Sequence, residues 1–362
     1  MPPRPTVHLK RRHERKVAHV ADCACTYRSQ AYAKSHSKGD IMQNITRRNL
    51  VKGLAAVAGT SAACALGAGV ALADQAAPAG AKVFLHRGYA AAHGNKSFAQ
   101  IVVATDEAGT IVAANIDEYQ FLGTDTDGIT PVPNATGMAA SFAEGVTLCS
   151  KRDNNDVYSA LMADHGGATQ PWADSIAAIE AFVAGKSAND LDGVDTVAGC
   201  TLVDVAGYLN AVAAVAQDES LVAQGQGDLD GATLGRANFA AHGSKAFADA
   251  VTLVKDGVIV ATNIDEFQCM ANDTEGLVPV PNSDGAFGEG LADGYTLGSK
   301  SLNNASYSAH MAEKAGATED WLQSMDAIEA SMLGQHVDAV SGATLVDARA
   351  YAFAAIKAGM NA

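Results

Sequence analysis

The chain has 362 residues, more than one ordinary domain, and 48% of them are apolar, enough to build real cores. Its formal charge of -15 hides an asymmetry: residues 1–73 hold 12 of the 25 Lys and Arg but 3 of the 40 Asp and Glu, leaving the remainder at a net -24. A surface that acidic repels nucleic acid and anionic lipid, so no nucleic-acid partner is expected, and solubility is the plainer meaning of the charge.

Residues 1–41 are basic and irregular and read as an over-called start, with translation expected from Met42. Residues 42–73 read as a twin-arginine signal peptide. Thr46-Arg47-Arg48-Asn49-Leu50-Val51-Lys52 carries the arginine pair, Gly53 to Val70 a mildly apolar run, and Ala71-Leu72-Ala73 an A-x-A cleavage site. The protein is therefore expected to be exported, extracellular or in the cell envelope. No transmembrane span is expected after cleavage, because Gly and Ala dominate the apolar run. Membrane association would rest at most on an uncleaved signal or a lipid anchor. Ser61 disfavours the anchor, since lipid attachment at Cys64 wants a larger aliphatic residue there. The exported part keeps Cys149, Cys200 and Cys269, with no Cys-x-x-Cys. That excludes a c-type haem and a cysteine-based zinc site there. A Cys149–Cys200 disulfide is conceivable, and inert packing is the simpler role for all three thiols.

An internal repeat organises the chain from residue 80 onward. Ala91-Ala92-His93-Gly94 returns as Ala240-Ala241-His242-Gly243, and Asn115-Ile116-Asp117-Glu118-Tyr119-Gln120 as Asn263-Ile264-Asp265-Glu266-Phe267-Gln268. Pro131-Val132-Pro133-Asn134 returns as Pro279-Val280-Pro281-Asn282, and Trp172 as Trp321. The copies occupy residues 80–216 and 233–362, with residues 217–232 as a linker. The Gly-x-Gly run at Gly225 and Gly227 is no dinucleotide fingerprint, because no strand is expected to lead into it.

Within a copy, strands come first. Ile101 to Thr105 and Ile111 to Asp117 predict a β-hairpin, repeated in the second copy around an Asp256-Gly257 turn. A Gly/Pro/Asn-rich loop comes next. Helices are expected around Tyr158 to His165 and from Trp172 to Gly185, where Trp172, Ile176, Ile179 and Val183 share a face. A last helix starts at Thr201 in one copy and at Thr344 in the other. The fold class is α+β, an antiparallel sheet with helices, twice over, each copy closed by a C-terminal helix.

The last helix is preceded by a small-residue loop. In the second copy it reads Asp338-Ala339-Val340-Ser341-Gly342-Ala343-Thr344, and in the first Asp195-Thr196-Val197-Ala198-Gly199-Cys200-Thr201. Local physics makes both a helix cap, with Thr201 and Asp204, or Thr344 and Asp347, as a capping box. Gly342 and Ala343 also leave room for a group to approach the backbone. A helix start favours a phosphate, and a hydroxyl there suits a phosphate ester.

The Asp-x-x-Ser-Gly-Ala-Thr run resembles the signature of the covalent FMN-binding domain family. That family includes the flavin-carrying C and G subunits of sodium-pumping and Rnf-type electron-transfer complexes, and exported tandem-domain flavoproteins of extracellular electron transfer. The resemblance implies FMN esterified through its phosphate to Thr344, with Asp338, Ser341, Gly342 and Ala343 as the recognition motif. It implies maturation by a flavin transferase that itself uses FAD and Mg²⁺, and membrane or surface redox proteins as partners. The first copy departs from the pattern at Ala198 and Cys200 but keeps Asp195, Gly199 and Thr201, so a second FMN at Thr201 stays open.

Other candidates for flavin contact are plainer. The Asn-Ile-Asp-Glu runs read as strand ends with solvated carboxylates, and Tyr119 and Phe267 as core aromatics. His93 and His242 suit a turn as well as a flavin carbonyl. Lys151-Arg152 and Lys300 lie in basic loops suited to offset a phosphate or reduced flavin. The expected function is an exported electron carrier with covalent FMN, more a carrier than a stand-alone enzyme. A flavin-dependent reductase of a small organic acceptor and a flavinless surface-binding module are the alternatives.

Overall fold

The computed structural model describes residues 79–336 and 348–362. The expected early start, the signal peptide and the motif residues Asp338, Ser341, Gly342, Ala343 and Thr344 lie outside these, as does the start of the helix expected from Thr344.

The first half runs β1 (Ala81–Ala90), β2 (Ser97–Asp106), β3 (Ile111–Gly123), one turn of α1 (Ala135–Met138), β4 (Val146–Ser150), α2 (Asn155–Gly166), α3 (Trp172–Val183) and α4 (Val205–Val215). The second runs β6 (Thr233–Phe239), β7 (Ala246–Lys255), β8 (Val258–Ala271), β9 (Tyr295–Ser299), α5 (Asn304–Ala315), α6 (Trp321–Met332) and α7 (Ala348–Met360). Between them lies β5 (Val222–Gly227). The fold is mixed α and β, with two antiparallel sheets ordered β4-β3-β2-β1-β5 and β6-β7-β8-β9.

The expected hairpins form as β2–β3 and β7–β8. Asp256 and Gly257 both take positive φ, 50° and 76°, the left-handed pair a tight hairpin turn requires. Strands β1, β4, β6 and β9 had no clear sequence signal. The segment expected as a linker is more than a connector. Its β5 pairs with β1 from Ala81↔Gly227 to His86↔Val222, and Ala223 packs into an aliphatic cluster with Val83, Leu85, Val251, Leu253 and Val260 of both sheets.

The period-2 alternation of a strand sorts the core. On β2, Ala99, Ile101 and Val103 face Trp172, Ile176, Ile179 and Val183 of α3 and Leu209 and Val212 of α4. Phe98 faces the other way, into an aromatic cluster with Tyr119, Phe247, Phe267 and Phe287. On β7, Ala248 and Ala250 face α6 and α7, while Phe247 joins the aromatic cluster. The two sheets thus stack face to face, with helices on their outer faces. Both faces of β2 and β7 are dry, and each strand is buried along nine of its ten residues, a pattern usual for strands covered on both sides.

The Pro-Val-Pro-Asn segments lock the halves together. Asn134 and Asn282 take left-handed backbone, φ 62° and 64°. The Asn134 side-chain amide donates to the carbonyls of Gly243 (3.0 Å) and Ala246 (2.8 Å), and Asn282 donates to Gly94 (3.0 Å) and Ser97 (2.6 Å). Backbone bonds repeat the exchange: Ala143 N–H donates to Gly290 and Ala292 N–H to Ser141, both at 3.0 Å. Among the described residues no helix is long and apolar enough to cross a membrane.

Gly137 sits at this junction with no room for a side chain, since a Cβ there would lie 1.7 Å from the Ser244 carbonyl oxygen. Gly137→Ala is expected to destabilise the fold by at least about 1–3 kcal/mol, the usual cost of overpacking. Urea unfolding followed by tryptophan fluorescence checks this.

Candidate functional site

The repeated Asn-Ile-Asp-Glu run lies on β3 and on β8. Asp117, Glu118, Asp265 and Glu266 were expected in solvent, and all four are fully buried. The reason is the stacking: side chains alternate between the helix layer and the other sheet, and neither side reaches water. Tyr119 and Phe267 are buried core aromatics, as expected.

Toward the other sheet, the carboxylates meet two buried arginines. Arg87 on β1 pairs through Nη1 with Asp249 Oδ1 at 2.7 Å. Its Nε and Nη2 donate to Asn263 Oδ1 (2.5 Å) and the Asn263 carbonyl (2.9 Å). Arg236 on β6 pairs with Asp249 Oδ2 at 2.6 Å and Asp117 Oδ2 at 2.7 Å. Arg236 Nη2 also donates to the Tyr119 hydroxyl (2.7 Å), which donates on to Asn238 Oδ1 (2.8 Å). Tyr89 donates to Asp265. Burial acts to raise the Asp249 carboxyl, but the Arg236 and Arg87 charges overcome it and hold it below the usual carboxylate range. Asp117 moves the other way, raised by burial against the opposing Arg236 charge.

Toward the helices, each half has a Lys–Glu pair. Lys151 binds Glu118 and Lys300 binds Glu266, all four buried. These lysines were expected to offset a phosphate or a reduced flavin. Both are instead matched internally, because a buried carboxylate beside each demands a cation. Burial alone would lower the Lys151 ammonium, yet the Glu118 charge holds it above its ordinary value. Each ammonium also sits over an aromatic ring, Lys151 4.5 Å from the centre of Tyr158 and Lys300 4.5 Å from that of Tyr307. Arg152, the other basic group of the first loop, pairs with Glu180 at 2.5 Å.

His93 links this buried pair to the motif loop. Its Nδ1 lies 3.9 Å from Glu118 Oε2 and its Nε2 3.3 Å from Asp204 Oδ2. The ring stacks on Tyr208, with centres 6.4 Å apart. Burial pushes the Tyr208 hydroxyl well up, with the neighbouring Glu118 adding to it. Glu118 Oε1, Tyr208 OH and Trp172 Nε1 are buried with no hydrogen bond among the described residues. His242 repeats the approach, 4.0 Å from Glu266. The sequence singles out both histidines, but their coupling to the buried Lys–Glu pairs carried no sequence signal.

The Thr201–Asp204 capping box does not form. Helix α4 begins at Val205 with Asp204 as its N-cap and no side-chain cap bond. The Asp204 carboxylate turns toward His93 instead of back to its own helix. Thr201 is exposed in the preceding loop, its N–H donating to Ser175 Oγ at 3.3 Å and its hydroxyl 3.4 Å from that same oxygen. Asp195 and Gly199 are exposed as well, with Gly199 in left-handed backbone (φ 84°). Val197 and Leu202 anchor the loop against the first core, while Val203 is 90% exposed. The structure thus brings Asp195, Gly199 and Thr201 together in one surface loop. A hydroxyl so presented fits attachment of a phosphate ester by an external enzyme.

Cys149 and Cys269 match the inert role, and Cys200 is half-buried. All three are free, and burial pushes Cys149 and Cys269 up to about 12. Among the described residues no cluster of His, Cys, Asp or Glu could hold a metal ion.

Asp249 sets an acid dependence. Its folded value is depressed, so its contribution is present above the unfolded value near 3.8 and is lost as pH falls through the lower folded value. Asp249→Asn is expected to cost about 3–5 kcal/mol at neutral pH, because it removes the carboxylate shared by two buried guanidiniums. The gap to the parent should narrow on acidification below 3.8, as followed by unfolding across a pH series. Comparison with family models, with curated proteins and with solved structures finds no match for the chain.

Proposed function

We propose that the protein is an exported flavoprotein that carries covalently attached FMN and relays electrons between extracytoplasmic partners. One observation carries the reading: the Asp-x-x-Ser-Gly-Ala-Thr sequence at 338–344 has a counterpart whose threonine, Thr201, is exposed in a small-residue loop before a closing helix. The two halves would be tandem FMN-binding domains, the second with the intact motif and the first with an eroded one.

Thr344 is the attachment residue, with Asp338, Ser341, Gly342 and Ala343 as the recognition motif. Thr201, with Asp195 and Gly199, is the second candidate. A flavin transferase using FAD and Mg²⁺ would form the bond from threonine Oγ to the FMN phosphate, with AMP leaving and the hydroxyl proton passing to solvent. The bound flavin would supply reversible electron transfer. The chain supplies the tether, which keeps a scarce cofactor from diffusing away outside the cytoplasm. Membrane or surface redox proteins are the proposed donors and acceptors. The twin-arginine pattern at 46–52 supports export.

Intact-mass analysis after co-expression with a flavin transferase tests this. One FMN-minus-water increment, lost in Thr344→Ala and kept in Thr201→Ala, is the expected minimum. A second increment lost in Thr201→Ala would make the protein a two-flavin carrier. No increment in the parent would defeat the covalent reading.

A further inference from the structure

The two halves differ at one matched place. In the first, Glu180 on α3 accepts the Ile116 N–H at 2.7 Å and the Arg152 Nη2 at 2.5 Å. Arg152 Nη2 also donates to the Ile116 carbonyl at 2.7 Å. In the second half Glu329 on α6 accepts the Ile264 N–H at 2.7 Å in the same way. The residue matching Arg152, however, is Ser301. A cavity of about 150 Å³ opens there, lined by Glu329, Ser301, Asp326, Leu322, Glu219 and Arg87 among others.

Glu329 is 8% exposed, and among the described residues it has no ion pair. Arg87 cannot serve, because its donors are engaged by Asp249 and Asn263. Arg87 at the cavity wall makes no hydrogen bond to Glu329, so this buried carboxylate lacks the directly paired cation that Arg152 gives Glu180 in the first half, an expensive arrangement.

We propose that this cavity binds a small organic cation bearing a guanidinium or primary ammonium group, seated where the first half seats its own Arg152. The N–H donors of such a group match the Glu329 carboxylate and the Ile264 carbonyl, as Arg152 matches Glu180 and Ile116. Asp326 and Glu219 add negative charge at the wall, and Leu322 and Met325 offer an apolar face for an alkyl stem. Such binding requires no flavin.

The site has a pH signature. Burial pushes the Glu329 carboxyl up to about 8; the Ile264 N–H and Arg87 oppose the rise, while Asp326 and Asp265 add to it. A cation binding near neutral pH therefore displaces a proton, and affinity rises from about pH 6 to about pH 9.

Methylguanidinium chloride at millimolar concentration is the probe, titrated into the purified protein by calorimetry and thermal unfolding. Tetramethylammonium chloride, which has no N–H donors, is the ionic control. Expected are a saturable rise in Tm with methylguanidinium alone, proton release on binding, and at least about tenfold weaker affinity in Glu329→Gln and Ser301→Arg. Ser301→Arg, which rebuilds the first-half arrangement, should also raise Tm without ligand. Should one variant fail to fold, the comparison rests on the other. No saturable rise in the parent, an equal effect of tetramethylammonium, or unchanged affinity in the folded variants overturns the proposal.

Discussion

Arg236 reaches from β6 to a carboxylate of its own sheet, Asp249, and to one of the facing sheet, Asp117. Arg87 makes the reverse crossing, from β1 to Asp249 and Asn263. Charges so deep between two sheets have no water to turn to, so each is stable only while the other half is in place. The aromatic cluster beside them adds non-directional burial, and the ion network makes the pairing specific.

The halves share a plan yet fill it differently. Gln100 occupies on β2 the place of Asp249 on β7, and its side-chain amide has no hydrogen bond among the described residues. Tyr119 has a hydroxyl in the network where Phe267 has none. Arg152 covers Glu180 where Ser301 leaves Glu329 beside a cavity. Two equivalent sets of buried charge would have doubled the desolvation cost. The structure instead shares Asp249 between both arginines and leaves a neutral amide, Gln100, at its counterpart.

Against this rigid centre the first motif loop lies at the surface. Its link to the buried charge runs through His93, between Asp204 of the loop and Glu118 below. A group attached at Thr201 would lie outside the sealed core, on the side of the fold where that histidine bridges loop and interior.

Much was legible beforehand because it depends on neighbours in sequence. The hairpins followed from alternation and an Asp-Gly turn, α3 from 3.6-residue spacing, and the duplication from matched words such as Pro-Val-Pro-Asn. The aromatic residues Tyr119 and Phe267 read correctly from their chemistry alone. What failed was burial. Asp117, Glu118, Lys151 and Lys300 look like surface residues in any local window, and only a second sheet on one side and helices on the other made them interior. Strand β5 looked like a linker because its register comes from β1, more than a hundred residues away. The Thr201 capping box satisfied every local rule, yet His93 offered the Asp204 carboxylate a better partner than its own helix. The sequence by itself determined which residues repeat and which stretches form the hairpins and helices. The tertiary structure alone decided which charges face each other across the sheets, because a pairing between distant strands leaves no trace in the spacing of either.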